Sequence, residues 1–293
     1  MNIGNPLLKN VANHDPSKNE RRGKLENFTK PLHPYTDDYV RIMLKKEKTY
    51  LEAPRNFRTN TRARNIVVNW LVYVHHRYRL TQTVLHKTVA LMDHYSSKKH
   101  VGRNRLQLIA LSCTSLIVKK IGSPPQPSEL VKMCASHFNA DDLHRGEVDV
   151  LQIAKFDLNH PVSPQFLTIF QEYFNLTSEV TLFAQYFLDL WLFYQGIARH
   201  RGSVVASVAI LFAMHVKKMD VANWRDRLAG LAHFSTEELT AMATAMSKIV
   251  SLFDYAKHPA ILEKYPTDGY ERVRSISQNL EGFDNFLNLE NGE

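Results

Sequence analysis

The sequence predicts an all-α protein: two tandem five-helix bundles with an extra helix in front of the first. Three observations predict it. Apolar residues recur at three- and four-residue steps through most of the chain, which is the period of one helix face. No convincing run alternates apolar and polar residues as a half-buried strand would. Pro161 and Pro164 divide the pattern into two groups of helical segments, and in each group the third segment is apolar nearly all round.

Residues 1–33 are polar, rich in Asn, Lys, Arg and Pro, and without period, which predicts disorder. A helix is expected from Thr36. Asp37 and Asp38 suit its positive end, Val40, Met43, Leu44 and Leu51 form its stripe, and Pro54 stops it. Residues 34–60 are therefore read as helix plus linker. The first bundle, 61–161, opens with the helix Arg62–Leu80, whose inward face is Ile66, Val67, Trp70, Leu71, Val74 and Tyr78. Thr81–Ser97 follows, with Leu85, Val89, Met92 and Tyr95 inward. The third helix, Arg103 to about Ile121, is apolar on nearly every side, and Ser112 and Cys113 are small enough for close packing. It is expected at the centre of the bundle. Gly122 and the prolines at 124, 125 and 127 end it. Short helices at about Ser128–Ser136 and Ala140–Phe156 complete five.

The second bundle, 162–256, repeats the plan. Ser163 is expected to cap a helix whose first residue is Pro164 and whose stripe is Phe166, Leu167, Phe170 and Phe174. Ser178–His200 comes next, then the small-residue helix Ser203–Lys217, then one around Trp224. The fifth runs from Ser235 to Tyr255 and opens with a capping box, since Glu238 stands three residues after Ser235. Residues 257–293 form a C-terminal extension.

Composition narrows the function. Of the 293 residues, 44% are hydrophobic and 23% charged, enough for cores that fold without disulfides. No apolar run approaches the roughly 18 residues of a membrane span, and the first residues lack a signal core. Cys113 and Cys134 form no metal or redox spacing, so a reducing compartment is expected. The net charge of +8 is spread over separated pairs such as Lys45–Lys46 and Lys98–Lys99, not gathered into a stripe with aromatics. That pattern reads as a solvated surface. There is no G-x-G-x-x-G, P-loop or H-E-x-x-H. His75 and His76 point about 100° apart on a helix and cannot clamp one metal easily. Neither catalysis, cofactor nor metal is expected.

Specific motifs point further. Ala63-Arg64-Asn65-Ile66-Val67-Val68-Asn69-Trp70-Leu71, Asp93, Leu106-Gln107-Leu108, Lys119, Glu147, Phe156-Asp157-Leu158, Pro161 and Gln165-Phe166-Leu167 occur in the order of the cyclin box. Ser203–Ala209 and Lys264-Tyr265 with Tyr270 and Val273 extend the match through a second box. From about Tyr35 to Ile276 the chain resembles the A/B-type mitotic cyclins, nearer the B group. The resemblance implies a regulatory subunit that binds and activates a cyclin-dependent serine/threonine kinase at the G2/M transition, in nucleus and cytoplasm. It implies kinase contacts by Lys119 and Glu147, which would reach backbone groups of the partner. On that reading neither residue is needed for stability; the other reading of the two is an exposed salt bridge within the chain. It also implies a substrate-docking patch at Ile66, Val67, Trp70, Tyr73, Leu106 and Gln107, and a structural ion pair between Arg64 and Asp93. Arg22 and Leu25 match an RxxL degradation signal, with ubiquitin-ligase machinery as the partner it would imply.

The chain departs from the family pattern in places. Lys120-Ile121-Gly122 stands where an aromatic and two glutamates are usual. Asn69 replaces an aspartate, Ala63 a methionine, and Tyr73 an acidic or amide residue. Weaker docking of basic peptides follows from Tyr73. Two other readings stay open: a nucleic-acid-binding double box like transcription factor IIB, whose zinc ribbon two cysteines cannot supply, and a helical scaffold that no longer activates a kinase.

Overall fold

The computed structural model describes residues 36–51, 60–122, 126–134, 138–194 and 200–265. Among them are twelve helices and no strand. The N-terminal helix is α1 (Thr36–Leu51). The first domain holds α2 (Thr61–Arg77), α3 (Gln82–Lys98), α4 (Arg103–Ile121), α5 (Pro127–Lys132) and α6 (Ala140–Ile153). The second holds α7 (Ser163–Phe174), α8 (Ser178–Trp191), α9 (Gly202–Val216), α10 (Ala222–Ala232) and α11 (Thr236–Ser251), and α12 (Pro259–Lys264) follows.

Local chemistry sets the helix starts. Asn60 Oδ1 accepts from the N–H of Ala63, and Thr81 Oγ1 from that of Val84. Asn139 and Asp142 cap α6 reciprocally, and Ser235 and Glu238 do the same for α11. One expected cap is displaced. Ser163 is the first residue of α7, with Val162 before it in extended conformation and its N–H donated to Gln165 Oε1. Ends also fall earlier than the apolar periodicity suggests. The last turn before residue 79 closes on Arg79 at φ 51°, and α6 closes on Lys155 and Phe156 at φ 50° and 58°. Left-handed residues of this kind stop a helix whatever the periodicity beyond them. The second helix of the second domain ends at Trp191, not His200, and α11 at Ser251, not Tyr255. Ile66 and Tyr78, expected inward, are 61% and 42% exposed. The pattern of apolar residues does not announce α12, which Pro259 starts.

The two apolar helices take the central places. In α4 every residue from Leu108 to Val118 is buried, and in α9 every residue from Ser203 to Met214. The apolar interior is continuous between the domains. Close approach of α6 to α4 depends on Gly146, where a Cβ would lie 2.3 Å from Ser112 Oγ.

Buried charges then fix the pieces against each other. Arg64 is 1% and Asp93 2% exposed, and they meet through two parallel bonds of 2.8 Å. Arg64 Nη1 also donates to the carbonyl of Leu192 at 2.9 Å, so the pair ties α2 and α3 to the end of α8. Glu47 of α1, 3% exposed, accepts from Arg201 Nε at 3.1 Å, from the Ser203 N–H at 3.0 Å and from Ser203 Oγ at 2.5 Å. The N-terminal helix is thereby anchored to the second domain. Asp189, fully buried in α8, accepts from Gln82 and His86 on one oxygen and from Lys264 and Tyr265 on the other, at 2.5–3.1 Å. Burial alone would raise its pKa, but Lys264 and His86 hold the carboxyl well below the usual range.

These buried groups make the fold testable. Asp93→Ala leaves Arg64 charged and uncompensated in the interior, at a cost of roughly 3–5 kcal/mol. The melting temperature should fall by roughly 6–20 °C; a shift within error would refute a buried pair. His75 is also buried, and neither ring nitrogen has a hydrogen-bond partner among the described residues. Burial, reinforced by Lys264 and His86 and opposed by Asp189, lowers its pKa to about 3. It is neutral in the folded chain and takes up a proton on unfolding below pH 6.5, so its contribution is present at neutral pH and lost as pH falls. Going from pH 7 to pH 5 should remove roughly 2 kcal/mol from His75. Thermal melts should show that slope and a flatter one in His75→Leu; equal slopes would exclude His75 as the source.

Candidate protein-interaction surface

The last turn of α4 emerges from the core beside α6, and there the buried helix becomes accessible. Lys119 Nζ donates to both oxygens of Glu147, at 2.7 and 2.6 Å, and Ser115 Oγ donates to the same carboxylate at 2.5 Å. The side chains differ in exposure, 42% for Lys119 and 7% for Glu147. The carboxylate is thus seated from inside by Ser115, while the ammonium keeps donor capacity toward solvent. The sequence expectation that Glu147 is dispensable for stability is corrected here: removing it leaves Ser115 in the interior without its acceptor.

Three large apolar side chains stand open on the same two helices and their ends. Ile121 is 54% exposed, Val148 41% and Phe156 73%. Phe156 is also in the left-handed region at φ 58°, a costly conformation for a bulky residue. Sequence periodicity does not reveal these three as surface residues, because apolar residues at the ends of buried helices are expected inside. Lys120 turns away from this face. Its ammonium donates to the carbonyl of Leu158 at 3.1 Å and to Asn159, in the connector between the domains. A charged donor, its acceptor and open apolar side chains on the same two helices and their ends suit the binding of another protein.

The second set of candidates divides by depth. Val67 is 8% and Leu106 1% exposed, so both belong to the core and line no open groove. Ile66, Trp70 and Tyr73 lie at i, i+4 and i+7 of α2 and form one stripe. Ile66 and Tyr73 are exposed, while Trp70 and Gln107 are half-buried. Trp70 packs on the main core and on a smaller cluster of Leu111, Leu130, Val131, Cys134 and Leu143. Asn69, beside Trp70, serves the far end of the chain. Its Oδ1 accepts the N–H of Ala260 at 3.2 Å and so caps the start of α12.

Burial pushes both thiols up, Cys134 to about 12, away from the thiolate form. Arg22 and Leu25 lie outside the described residues. Sequence reasoning also missed Asp189, Glu47 and Arg201. For Asp189 a signal exists: a single carboxylate in the apolar run Tyr186–Phe193 needs buried donors around it.

Comparison with known proteins adds the following. Residues 38–159 match the family described as cyclin, N-terminal domain, and residues 161–279 match cyclin, C-terminal domain. The chain is 28% identical over 277 residues to the G2/mitotic-specific cyclin-B1 of Oryzias latipes, covering 94% of this chain and 63% of that protein. It is 23% identical over 250 residues to the G2/mitotic-specific cyclin-B of Patella vulgata, covering 83% and 60%. It is 28% identical over 220 residues to Cyclin-A1-1 of Oryza sativa subsp. japonica, covering 73% and 43%. The chain thus spans less than two thirds of the length of these relatives. Among solved structures, a viral cyclin from herpesvirus saimiri superposes with a TM-score of 0.60 at 19% identity, covering 75% of this chain and all of that one. A chain of the yeast RNA Pol II CTD kinase CTDK-1 complex gives 0.61 at 14% identity, covering 89% of each. At such identities the structural likeness bears on the fold alone.

Proposed function

The chain belongs to the cyclin family, a divergent member similar to B-type and A-type cyclins, and on that premise we propose that it binds and activates a cyclin-dependent serine/threonine kinase. The observation that carries this reading is the Lys119–Glu147 pair at the accessible end of α4, with Ile121, Val148 and Phe156 exposed on the same two helices and their ends. The lysine offers donors to backbone carbonyls of the partner, the glutamate accepts N–H groups when the pair opens, and the apolar side chains supply buried area. Such a contact holds the kinase αC helix inward and completes its Lys–Glu ion pair, which positions the nucleotide phosphates. The protein itself does no bond chemistry. The relatives named G2/mitotic-specific cyclins support a place at G2/M. The proposed site of action is nucleus and cytoplasm. With Lys120 committed to the connector and no acidic pair after it, the association is looser than that of a typical mitotic cyclin.

The decisive measurement is kinase co-purification from cells in which the chain is expressed. Lys119→Ala, at a part-exposed pair worth under about 1 kcal/mol to the fold, should leave the melting temperature nearly unchanged. Phe156→Gly should hold or raise it, because glycine accepts a left-handed backbone without penalty. Each should weaken kinase binding at least about tenfold, or 1.4 kcal/mol. If both variants retain the kinase as well as the unmutated chain does, this surface is not the interface.

Within the same reading, the stripe Ile66, Trp70 and Tyr73 with Gln107 is a substrate-docking surface weakened for basic peptides. Tyr73 supplies no charge to a basic side chain, and Val67 and Leu106 are covered. A basic-x-leucine peptide should bind more weakly than micromolar, and Tyr73→Glu should tighten it several-fold. Calorimetry showing micromolar binding to the unmutated chain, lost in Trp70→Ala, would overturn the weakening.

A further inference from the structure

We propose that a groove at the junction of the two domains is the docking site of this chain's own acidic, aromatic C-terminal segment, residues 280–290. The groove has a volume of about 620 Å³. It is lined by Ala241 and Ala245 on the small-residue side of α11 and by Tyr194, Ile249, Leu252 and Phe253. Leu252 is 81% exposed, more than any other large hydrophobic side chain among the described residues. Lys248 and Lys257 stand on the rim, Lys257 paired with Asp254 at 2.6 Å. The surface is therefore an open apolar trough with basic edges, and neither the kinase face nor the α2 stripe includes it.

The occupant is argued from the sequence that follows α12. Leu280, Phe283 and Leu287 fall at i, i+3 and i+7, with Phe286 beside them, the pattern of one apolar helix face. Between them stand Glu281 and Asp284, and Glu290 follows. From Ser275 to Glu293 there are four acidic residues and no Lys, Arg or His, in a chain whose net charge is +8. Apolar face and charge both complement the groove. The tether is adequate. Lys257 and His258, which line the groove, immediately precede α12, and its six residues span about 9 Å. The 14 residues from 266 to 279 can extend up to about 50 Å, so the segment returns easily at millimolar effective concentration. A segment so bound would cover Leu252 and brace α11 against the end of α8.

Hydrogen exchange on the full chain, read by mass spectrometry, tests this. Amides 281–290 should exchange at least tenfold slower than in an unstructured peptide of the same sequence. The tail variant Phe283→Ala with Phe286→Ala should abolish that protection and speed exchange across 241–258 several-fold. Lys248→Glu, at an exposed site, should weaken the tail's protection without lowering the melting temperature. No protection of 281–290 in the unmutated chain would overturn the proposal. So would a tail variant that alters exchange at some other surface and leaves 241–258 unchanged. Protection that rises with protein concentration would assign the groove to the tail of a second copy and overturn docking within one chain.

Discussion

A carboxylate with no access to water must either be protonated or be surrounded by donors, and the arrangement of this protein follows from how Asp189 is surrounded. Its donors come from places far apart in sequence: Gln82 and His86 on α3, Lys264 at the end of α12, and Tyr265 just after it. Since Asp189 itself sits on α8, satisfying this one side chain fixes a helix of the first domain, a helix of the second and the extension after both. The neutral form of His86 must place its proton on Nε2 to donate here, and burial lowers its pKa accordingly. Any separation of the domains would strip donors from a fully desolvated charge, so these contacts oppose it.

The other two buried ion pairs extend the same logic. Arg64 uses three nitrogens on three acceptor groups, Asp93, the Leu192 carbonyl and the side chain of Asn65, so one side chain spans both domains. Glu47 and Arg201 do for α1 what Asp189 does for α12. Arg201 continues to the carbonyls of Ala232 and His233, so the N-terminal helix is keyed to the end of α10. The result is a scaffold whose polar ties lie at boundaries between elements, while α4 and α9 fill the two centres with apolar and small residues. Apolar packing supplies most of the stability, and buried ionic contacts select one relative placement of the parts.

One place for recognition is where a central helix runs out of the core. The end of α4 is such a place. Lys119 shares a carboxylate seated by Ser115, and Lys120, one residue on and about 100° round the helix, is bound to the connector. Two adjacent lysines of the same helix thus act differently, one facing outward and one holding the join between domains. Phe156 is kept in an unfavourable backbone region and in contact with solvent. A folded protein that retains both costs has a use for that side chain, and binding another protein is the use the surrounding surface fits.

Much of the fold was legible in the sequence. The 3.6-residue period, the cap at Ser235 with Glu238, and the proline seam locate helix starts to within a few residues, because these signals act over one or two turns. The all-round apolarity of α4 and α9 marks them as central for the same local reason. The ordered motifs, read as a resemblance, identify the family and put Lys119 near Glu147 and Arg64 near Asp93. Other features depend on distant neighbours. Whether Ile66 and Phe156 face water and whether Val67 and Leu106 lie beneath the stripe follow from what packs alongside, and where α2 and α6 stop follows from left-handed turns. The partners of Asp189 and Glu47 are separated from them by 75 to 156 residues. No local rule reaches that far, because a buried charge is satisfied by whichever donors the packed chain delivers to it.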